Sequence, residues 1–458
     1  MAIRLIILAA GKGTRMKSQL PKVLHPLAGK PLLGHVIDTG LSLNAQGITV
    51  VIGHGADQVK NTITQDVQWA MQTEQLGTAH AVMQGLDGIE DDDTVLLTYG
   101  DVPLTRTTTY QKLLDVVSDT RMGLLTLQME DPTGYGRIIR EGDSEEGAVI
   151  GIVEQKDASP AQLAIKEGNC GVIAIRGKWL LSLLAQIGND NAQGEYYLTD
   201  LIGLAVANNV AIETINPDDA WETDGVNSRV QLATLERVHQ RNQAEALMAG
   251  GVTLRDPSRL DIRGSLSHGT DVDIDINAVF IGDCHIGNTV TIGPNCTFLN
   301  ASIGDGTHVK AYSMIEDSII GENGDIGPYA RLRPGCELAN NVKIGNFVEA
   351  KKAVIGSGSK VNHLSYVGDA ELAENVNVGA GTITCNYDGA NKHKTVIGSD
   401  AFIGSNAALV APVTIGAGAT IGAGSTISRE APSDKLTVTR AAQTTIDGWQ
   451  RPTKKKSG

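Results

Sequence analysis

Aromatic residues are scarce in this 458-residue sequence, at 4% of the total, and basic side chains are outnumbered by acidic ones. Lysine and arginine number 38 against 52 aspartates and glutamates, so the formal net charge is −14 at pH 7. Because phosphate contacts need a basic face, this balance argues against a nucleic-acid partner. No apolar run approaches the roughly 18 residues of a membrane span, and Leu5–Ala10 is too short for a signal peptide.

Cysteine is also sparse. The five cysteines are odd in number and form no Cys-x-x-Cys motif, which favours free thiols in a reducing compartment over a disulfide framework. Together with the lack of a long apolar run, this predicts a cytoplasmic protein without a membrane span.

Glycine is abundant, with 53 residues, which is well above the roughly 7% of average proteins. Hydrophobic residues make up 41%, enough for a sizeable core, and the length suits two or three domains. A chain that is short of rings and rich in glycine and small aliphatic residues predicts a closely stacked, repetitive backbone.

Up to about residue 225, short β-rich runs alternate with helical patterns. The β-rich runs are Ile3–Ala9, Ile48–Ile52, Val95–Tyr99, Gly123–Gln128 and Gly171–Ile175, and the helical patterns include Pro31–Asn44 and Thr78–Leu86. This alternation predicts an α/β domain with a mostly parallel sheet between two helical layers. Ligands of such sheets sit at the carboxyl ends of the strands.

Residues 227–251 have the pattern of one long connecting helix closed by Gly250 and Gly251. We therefore predict a first domain at 1–226, a helical linker at 227–251, and a second domain with a C-terminal tail at 252–458.

From about residue 264 the aliphatic residues follow a six-residue period. The positions are Ile286 and Ile292, then Ile320, Ile326, Leu332, Leu338 and Ile344, then Ile397, Ile403, Leu409, Ile415 and Ile421. Period six fits neither a helix nor an alternating strand, and it predicts a parallel β-helix whose coils turn three corners. Inward aliphatics would stack from coil to coil, and large rings would be excluded.

Two segments break this period. Thr384–Thr395 predicts a loop that leaves the solenoid, and loops on rigid repeats often carry function. After Ile427 we predict an irregular, solvated tail that includes Lys454, Lys455 and Lys456.

The first apolar strand runs into a glycine-rich turn, Gly11–Arg15, whose backbone N–H groups and cations suit a phosphate. The turn is neither a Walker A loop nor a dinucleotide fingerprint, so a plain tight turn is the alternative. Lys22 adds a further cation, and Gln75–Thr78 is a short turn suited to a base edge or a phosphate. Asp101 follows an apolar strand, where a carboxylate meets a metal-bound phosphate, with a structural role as the alternative.

Polar and basic residues also appear in the repeat where small residues are expected. They are Arg333, Lys351, His363, Tyr366, Asn377, Asn386, Tyr387 and Lys392. Arg333 and Lys351 offer cationic donors for a sugar phosphate. Histidine is the side-chain type that exchanges protons near neutral pH, so His363 is a candidate base, with a bystander role as the alternative.

These residues carry a resemblance. The motifs L-A-A-G-K-G-T-R-M, P-K-V-L, Q-L-G-T, Y-G-D-V-P and G-Y-G-R begin at residues 8, 21, 75, 99 and 134, and they resemble those of the sugar-1-phosphate nucleotidyltransferases. With the hexapeptide region included, the whole chain resembles the bifunctional N-acetylglucosamine-1-phosphate uridyltransferase/glucosamine-1-phosphate acetyltransferase family. That resemblance implies a Rossmann-like nucleotidyltransferase domain with a mixed, mostly parallel sheet, followed by a left-handed parallel β-helix.

The resemblance also implies roles for residues of the first domain. Lys22 and Asp101 would be catalytic, and Asp101 with Asn227 would hold Mg²⁺. Further contacts to UTP or UDP-N-acetylglucosamine would come from Leu8, Ala9, Ala10, Gly11, Lys12, Gly13, Thr14, Arg15, Gln72, Gly77, Thr78, Tyr99, Gly100, Gly136, Glu154, Asn169 and Tyr196.

In the second domain, the resemblance makes His363 the general base that deprotonates the 2-amine of glucosamine-1-phosphate before it attacks acetyl-CoA. Glu349 is a candidate to orient this base. Glucosamine-1-phosphate would be bound by Arg333, Lys351, Tyr366, Asn377, Asn386 and Tyr387, and acetyl-CoA by Ala380, Asn386, Tyr387, Ser405, Ala423 and Arg440. For Ala380 and Ala423, simple corner packing is the alternative.

The expected substrates are therefore glucosamine-1-phosphate, N-acetylglucosamine-1-phosphate, UTP and acetyl-CoA. The product, UDP-N-acetylglucosamine, would feed peptidoglycan and lipopolysaccharide synthesis. The family also implies a homotrimer whose acetyl-transfer site is built from neighbouring chains. Two alternatives stay open: a nucleotidyltransferase whose β-helix only assembles subunits or binds an effector, and a non-enzymatic scaffold.

Overall fold

The computed structural model describes residues 2–143 and 146–454, so the predicted tail residues Lys455 and Lys456 lie outside the described part. The chain divides into two compact units, Met1–Asn242 and Gln243–Gly458. Each unit has its own hydrophobic core. The long helix Arg229–Ala249 agrees with the helix predicted at 227–251 and contributes residues to both units. The predicted domain boundaries stay predictions.

The first unit is built from strands that alternate with helices. Its strands are β1 Ile3–Leu8, β2 Pro26–Leu27, β3 Lys30–Pro31, β4 Gly47–Ile52, β5 Gln68–Met71, β6 Thr94–Tyr99, β7 Arg121–Gln128, β8 Arg137–Arg140, β9 Val149–Val153, β10 Glu167–Arg176 and β11 Ala211–Ile215. Its helices are α1 Leu32–Ser42, α2 Ala56–Thr62, α3 Thr78–Gln84, α4 Thr107–Asp115, α5 Pro160–Leu163, α6 Gly177–Leu184, α7 Asp200–Ala207 and α8 Arg229–Ala249.

The central sheet of this unit is mixed and mostly parallel. Its strand order is β11-β7-β10-β6-β1-β4-β5, in which β10 runs antiparallel to both of its neighbours, and β8 and β9 extend it as a hairpin. Both neighbours of β1 are parallel to it. The chain first adds β4 and β5 on one side of β1 and then crosses back to add β6 on the other side. The sheet order therefore reverses beside β1, and this switch point opens a crevice at the carboxyl ends of β1 and β6.

All five strands predicted in this half are present, as are the two predicted helices. The structure adds β2, β3, β5, β8, β9 and β11. In β5, neither face is fully buried, so its residues show no clear alternation of apolar and polar types. The burial of apolar sequence on both faces is strongest in β4 and β6, which is why those strands were easiest to predict.

The second unit consists of short parallel strands in two sheets. The eleven-stranded sheet contains Thr253–Leu254, Asp273–Ile274, Thr291–Ile292, His308–Val309, Asp325–Ile326, Lys343–Asn346, Lys360–His363, Asn377–Val378, Phe402–Ile403, Thr420–Ile421 and Leu436–Thr437. The fifteen-stranded sheet contains Leu260–His268, Ala278–Ile286, Thr297–Leu299, Ser302–Ile303, Met314–Glu316, Ser318–Ile320, Arg331–Arg333, Cys336–Leu338, Glu349–Ile355, Tyr366–Leu372, Ile383–Cys385, Thr395–Ile397, Ala408–Val410, Val413–Ile415 and Thr426–Ile427.

The strand register confirms the predicted coils. Asp273 pairs with Thr291 and Thr291 with His308, which are steps of 18 and 17 residues, so three hexapeptides complete one coil. The predicted aliphatic positions from Ile286 to Ile421 are all buried in one continuous core. The β-helix is therefore confirmed, and its left-handed sense stays a prediction.

The corners of the coils use a left-handed backbone. Asn295, Asn323 and Asn406 have φ angles of 60°, 54° and 56°, and asparagine tolerates this region better than most residues. Corner side chains also bind each other between coils, since Asn277 Nδ2 donates to Asn295 Oδ1 at 2.9 Å. Corner positions thus carry polar residues as well as the small ones that the period-six pattern suggests.

Two expectations about the repeat need correction. Large rings do occur inside it, because Phe280 and Phe298 are buried and stacked with centroids 4.9 Å apart. Phe280 and Phe298 are register partners in successive coils, so their rings stack and the width of the β-helix stays the same. The repeat also extends beyond Ile427, since Ala431 is buried and Leu436–Thr437 still pairs with Thr420–Ile421.

The predicted loop is confirmed by the register. Asn377 pairs with Phe402, a step of 25 residues, because the segment between Cys385 and Thr395 leaves the coil. No helix among the described residues is both long enough and apolar enough to span a membrane.

Candidate active sites

A cavity of about 450 Å³ lies at the carboxyl ends of β1 and β6 in the first unit. Ten residues predicted to bind the nucleotide line it: Leu8, Ala9, Ala10, Gly11, Lys22, Gln72, Gly77, Thr78, Tyr99 and Asp101. The same wall includes Val23, Gln75, Ala81 and Glu195, which were not among the predicted site residues. Gln75 belongs to a quoted motif, and its Nε2 donates to Ala10 O at 2.8 Å, which links the two turns.

The glycine-rich turn after β1 is shaped by Gly13. Its φ is +60°, and a Cβ there would lie 2.6 Å from Lys22 Cβ, so a larger residue would displace the lysine. Lys12, Thr14 and Arg15 are exposed on the same turn and outside the cavity lining. The turn therefore carries exposed cations and packs against Lys22, which lines the cavity.

Lys22 joins two residues that are far apart in the sequence. Its Nζ forms an ion pair with Asp101 Oδ2 and donates to Asn227 Oδ1 at 3.1 Å. The loop that carries Asn227 is tied to the end of β6, because Val226 N donates to Asp101 O at 2.9 Å. One carboxylate oxygen and one amide oxygen thus converge on a single cationic group.

Gly77 fixes the opposite wall of the cavity. Its φ is +118°, and a Cβ at this position would lie 2.4 Å from Tyr196 O. Tyr196 holds the segment through its backbone, since its N donates to Leu76 O at 2.8 Å and its O accepts from Ala79 N at 2.9 Å. Buried Gln72 donates to Gly77 O at 3.2 Å. The predicted base-binding residues Gln72, Gly77 and Thr78 therefore form one hydrogen-bonded wall.

Of the residues predicted to bind the sugar, Asn169 lies on β10, Gly136 directly precedes β8, Glu154 directly follows β9, and Tyr196 lies in the segment before α7. Asn169 N donates to Gly136 O at 2.9 Å, and the Asn169 Oδ1 accepts from Gly171 N at 2.9 Å. Thr199 Oγ1 donates to Glu154 Oε1 at 3.0 Å, and burial raises the pKa of this carboxyl. None of Gly136, Glu154, Asn169 and Tyr196 lines the 450 Å³ cavity itself.

Tyr99 connects the two groups of residues. Burial raises the pKa of its hydroxyl, and the charges of Glu154 and Asp101 raise it further, so both carboxylates lie near this ring. Gly171 leaves room for the ring, because a Cβ there would lie 2.5 Å from Tyr99 Cε2. Gly100, next to it, is buried against Ala9 and Leu33.

Among the described residues, no cluster of three or more His, Cys, Asp or Glu side chains has the arrangement of a metal site. The pair Asp101 and Asn227 offers two hard oxygen ligands, which suits Mg²⁺ when substrate phosphates complete the coordination. Lys22, a cation bound to both oxygens, demonstrates that they converge on one position.

In the second unit, three of the residues predicted to bind the sugar phosphate, Arg333, Lys351 and Tyr366, lie on the fifteen-stranded sheet. Arg333 Nη1 donates to Glu349 Oε1 at 2.8 Å, and Lys351 is the register partner of Arg333. Lys392 of the loop and Arg333 lower the pKa of Lys351, because three cations crowd one small area. Such crowding marks a position suited to an anion.

The loop after Cys385 lies beside this cation cluster, to which it contributes Lys392. Buried Asn386 donates to Asp369 Oδ2 at 2.5 Å and to Tyr366 Oη at 3.4 Å. Tyr387 is exposed, and its hydroxyl donates to Gly389 O at 2.6 Å. Asp369 was absent from the predicted site residues, and nothing in the sequence distinguished it from the other corner aspartates.

His363 lies on the other sheet, at the end of Lys360–His363. Asn346, His363, Ala380 and Ser405 occupy the same position in successive coils and form a column. The carbonyl of each accepts a hydrogen bond from a backbone N–H of the next coil, donated by Leu364, Gly381, Asn406 and Gly424 respectively. Ala423 continues this column, because Ile403 pairs with Ile421. The predicted acetyl-CoA residues Ala380, Ser405 and Ala423 thus follow His363 coil by coil.

Arg440 lies at the end of this column. It is exposed, and its Cδ would be 3.9 Å from a Cβ added at Gly424. Asn377 lies on the same sheet as His363, while Arg333, Lys351 and Tyr366 lie on the fifteen-stranded sheet.

Within the single chain, Glu349 does not contact His363, so its role in orienting the base stays a prediction. Glu349 was the candidate to orient the base, but its carboxylate is paired with Arg333. Instead, His363 Nδ1 is hydrogen-bonded to Asn346 Oδ1 at 2.9 Å. Asn346 stands 17 residues before His363, so the length of one coil, applied to the sequence, was the signal that pointed to it.

A cavity of about 190 Å³ lies beside His363, lined by Lys310, Asp325, Gly327, Pro328, Lys343, Ile344, Gly345, Asn346 and Asn362. None of the predicted sugar-phosphate residues lines it. Leu364 and Ser365, at the corner, separate His363 from Tyr366 along the chain.

Comparisons with known proteins agree with both units. Residues 5–141 match a MobA-like NTP transferase domain, residues 262–361 match a GMPPB C-terminal domain, and residues 394–429 match six repeats of the bacterial transferase hexapeptide. The chain is 55% identical over 453 residues to the bifunctional protein GlmU of Marinobacter nauticus, with 99% of each chain covered. The chain belongs to the GlmU family.

Two further relatives support this assignment. The GlmU proteins of Cellvibrio japonicus and Burkholderia vietnamiensis are 57% and 55% identical to this chain, and the matches cover 98% and 99% of it and 99% and 100% of the relatives. Membership of the GlmU family confirms the bifunctional family predicted from the sequence motifs.

Proposed function

We propose that this chain makes UDP-N-acetylglucosamine in two steps, acetyl transfer in the second unit and uridylyl transfer in the first. The observation that carries the proposal is the presence of two separate groups of polar residues, each within one compact unit of a GlmU-family chain. One group surrounds Asp101 in a cavity at the switch point of the sheet, and the other surrounds His363 and Lys351 on the β-helix.

In acetyl transfer, the nitrogen of glucosamine-1-phosphate attacks the thioester carbonyl of acetyl-CoA. His363 takes the proton that leaves the nitrogen as the new C–N bond forms. The C–S bond then breaks, and the proton held by His363 passes to the leaving sulfur, so that CoA leaves as a thiol. Arg333, Lys351 and Lys392 neutralise the sugar phosphate. The column of small residues at Ala380, Ser405 and Ala423 leaves room for the pantetheine arm, and Arg440 binds CoA phosphates.

In uridylyl transfer, a phosphate oxygen of N-acetylglucosamine-1-phosphate attacks the α-phosphorus of UTP. The bond from the α-phosphorus to the bridging oxygen breaks, and pyrophosphate leaves. Such a step depends on positioning and charge neutralisation. The glycine turn, Lys12, Arg15 and Lys22 bind the phosphates, Gln72, Gly77 and Thr78 bind the base, and Gly136, Glu154, Asn169 and Tyr196 bind the sugar.

Asp101 and Asn227 would hold Mg²⁺, and the convergence of their oxygens on Lys22 Nζ supports this assignment. When bound, the ion supplies charge neutralisation at the phosphates. Lys22 then turns from these oxygens to the phosphate oxygens of the nucleotide.

The active assembly is a homotrimer, in which neighbouring chains complete the acetyl-transfer site. This assignment is supported by the separation of His363 and Lys351 onto two different sheets of one chain. A second support is a stacked column of exposed rings, Tyr312, Tyr329 and Phe347, with centroids 4.9 and 5.3 Å apart. Exposed apolar columns of this kind favour contact with a second copy of the chain.

The two sites are tested by two variants. Asp101→Ala should abolish pyrophosphate release from UTP and leave CoA thiol release unchanged, while His363→Ala should lower thiol release by roughly 10²–10⁴-fold and leave uridylyl transfer unchanged. The monofunctional alternative requires wild-type protein that releases no thiol when glucosamine-1-phosphate is added to acetyl-CoA. Loss of both activities in a folded Asp101→Ala protein would contradict the two-site assignment.

A further inference from the structure

We propose that Asn346 is the positioning residue of His363 and fixes which nitrogen of its ring acts as the base. This inference rests on the proposed acetyl-transfer function of the second unit. It starts from the hydrogen bond of 2.9 Å between His363 Nδ1 and Asn346 Oδ1.

The bond defines the tautomer because of its chemistry. An amide oxygen accepts hydrogen bonds and never donates, so Nδ1 must carry the hydrogen of this bond. In the neutral ring the second nitrogen, Nε2, then holds the free electron pair. A general base needs that pair on the nitrogen that faces the substrate, and among the described residues no side chain is hydrogen-bonded to Nε2.

The β-helix makes the contact a property of the fold. Asn346 and His363 are register partners on adjacent parallel coils, which stand about 4.8 Å apart. The backbone at His363 is fixed as well, since its carbonyl accepts from Gly381 N at 3.2 Å and from Ser365 Oγ at 2.8 Å. Both ends of the hydrogen bond are therefore held by the coil ladder.

Asn346 also lies apart from the residues proposed to bind the two substrates. It lies in the coil before His363, whereas Ala380, Ser405 and Ala423 lie in the coils that follow. The cations Arg333 and Lys351 lie on the other sheet. Loss of the Asn346 amide should consequently change the rate of proton removal and leave the binding of both substrates nearly intact.

The test compares Asn346→Leu, which keeps the size of the side chain without an acceptor, with Asn346→Asp, which keeps an acceptor oxygen. Asn346→Leu should lower kcat for acetyl transfer by about 10–100-fold, with KM for either substrate changed less than about twofold. Asn346→Asp should recover most of that loss. Asn362→Ala, which changes a neighbour in the same cavity without a hydrogen bond to the ring, should keep the wild-type kcat.

The tautomer provides a readout that does not depend on activity. Two-bond ¹H–¹⁵N correlation spectra of the trimer, with His363→Gln used to assign the signals, should report hydrogen on Nδ1 in the wild type at neutral pH. In Asn346→Leu the hydrogen should move to Nε2 in a large part of the molecules. Far-ultraviolet circular dichroism of the same samples verifies that the β-helix of each variant is folded.

Two results would overturn the proposal: hydrogen on Nε2 of wild-type His363, or Asn346→Leu with a wild-type kcat. Failure of the proposed function looks different. Wild-type protein would then release no thiol, while the spectra would still report whether Asn346 fixes the ring.

Discussion

Lys22 occupies the position that the proposed metal needs. Its ammonium group contacts both Asp101 and Asn227, which are the oxygens assigned to Mg²⁺. A cation held by the protein and a divalent cation from solution cannot both take this position. The resident ammonium therefore opposes metal binding until the phosphates of a nucleotide draw Lys22 away.

This competition predicts the behaviour of Lys22→Met. Without nucleotide, the variant should bind Mn²⁺ several-fold more tightly than the wild type, because the carboxylate no longer has a cationic partner. Electron paramagnetic resonance of free Mn²⁺ measures the binding directly. Uridylyl transfer should fall at the same time, since the phosphates lose a cation.

Asp101→Asn, which removes the carboxylate charge, is the matched control and should weaken Mn²⁺ binding in either background. Equal Mn²⁺ affinity in wild type and Lys22→Met would contradict the competition.

Individual site residues differed in how far the sequence revealed them. Asp101 was recognisable because it follows an apolar strand at the edge where ligands bind, and the structure places it in the cavity lining. Asn346 was missed because its role depends on a contact across one coil, and an asparagine in a solenoid resembles the many corner asparagines. The sequence did not reveal that Glu349 is paired with Arg333 within the chain, because the two residues meet only when adjacent coils stack.

Within the β-helix, neighbouring residues of one strand have opposite environments. On Ser318–Ile320, Ile319 is 57% exposed and Ile320 is 1% exposed, although the two side chains are chemically identical. Side chains of a strand alternate between faces, and here one face is the interior of the coil. The energetic weight of the inward column is therefore measurable with a matched pair of variants.

Ile320→Ala should lower the free energy of unfolding of the second unit by about 2–5 kcal/mol, because the cavity it leaves cannot collapse between stacked coils. Ile319→Ala should change it by less than about 0.5 kcal/mol. Urea unfolding of the full chain, followed by circular dichroism in the β region, compares the two. Similar losses in both variants would contradict an inward column that stabilises the coil.

A pair of partly buried histidines, His35 and His239, links α1 to α8 in the first unit. The rings of His35 and His239 meet edge to face with centroids 5.4 Å apart, and His35 Nε2 bonds to Leu27 O at 2.9 Å. Burial lowers the pKa of His35 to about 4 and also lowers that of His239. Lys30 lowers the pKa of both rings further, and the carboxylate of Glu236 raises both.

These pKa shifts determine whether acid raises or lowers the free energy of unfolding. Between pH 6.5 and about 4 the unfolded chain binds a proton at His35 that the folded chain does not, so acid favours unfolding. The free energy of unfolding should fall across this window by up to about 3 kcal/mol on account of His35. His35→Gln should flatten this decline.

Tryptophan fluorescence follows the transition, because Trp69, Trp179 and Trp221 lie in the first unit. His54→Gln, on an exposed turn, is the control and should leave the acid dependence unchanged. An unaltered pH dependence in His35→Gln would contradict the assignment.

The elements themselves were largely predictable. The period of six defined the coils, because most inward positions carry Ile, Leu, Val or Ala. The sequence did not reveal which sheet carries each polar residue, since that depends on how the 17- and 18-residue steps distribute around the corners. The hairpin of β8 and β9, which carries sugar-binding candidates, was missed because its strands are short and half-exposed.

For the chain as a whole, the two activities depend on two units that each have their own core. The residues proposed for uridylyl transfer all belong to the first unit, and those proposed for acetyl transfer all belong to the second. Such a division predicts that substitutions at one site leave the other unchanged. It leaves open how one chain completes a site whose base and cations lie on different sheets.

Mixed assemblies answer that question. If the base of one chain acts with the cations of its neighbour, trimers formed from His363→Ala and Lys351→Ala chains contain some sites with an intact base and intact cations. When equal amounts of the two variants mix at random in a closed ring, about a quarter of the sites combine an intact His363 from one chain with an intact Lys351 from its neighbour. Co-expressed and co-purified mixtures should therefore recover about a quarter of wild-type acetyl transfer, whereas each variant alone remains inactive.

The control mixes His363→Ala with His363→Gln, a pair in which no site regains a base, and it should stay inactive. Uridylyl transfer in every mixture should equal that of the wild type, because each chain carries its own intact first unit. This activity is used to normalise the amount of protein in each sample. The recovered fraction should also vanish when the variants are purified separately and mixed without exchange of chains. If exchanged, trimeric mixtures recovered no activity, the base and the cations of each site would have to come from a single chain. The location of His363 and Lys351 on two different sheets would then no longer support the trimer.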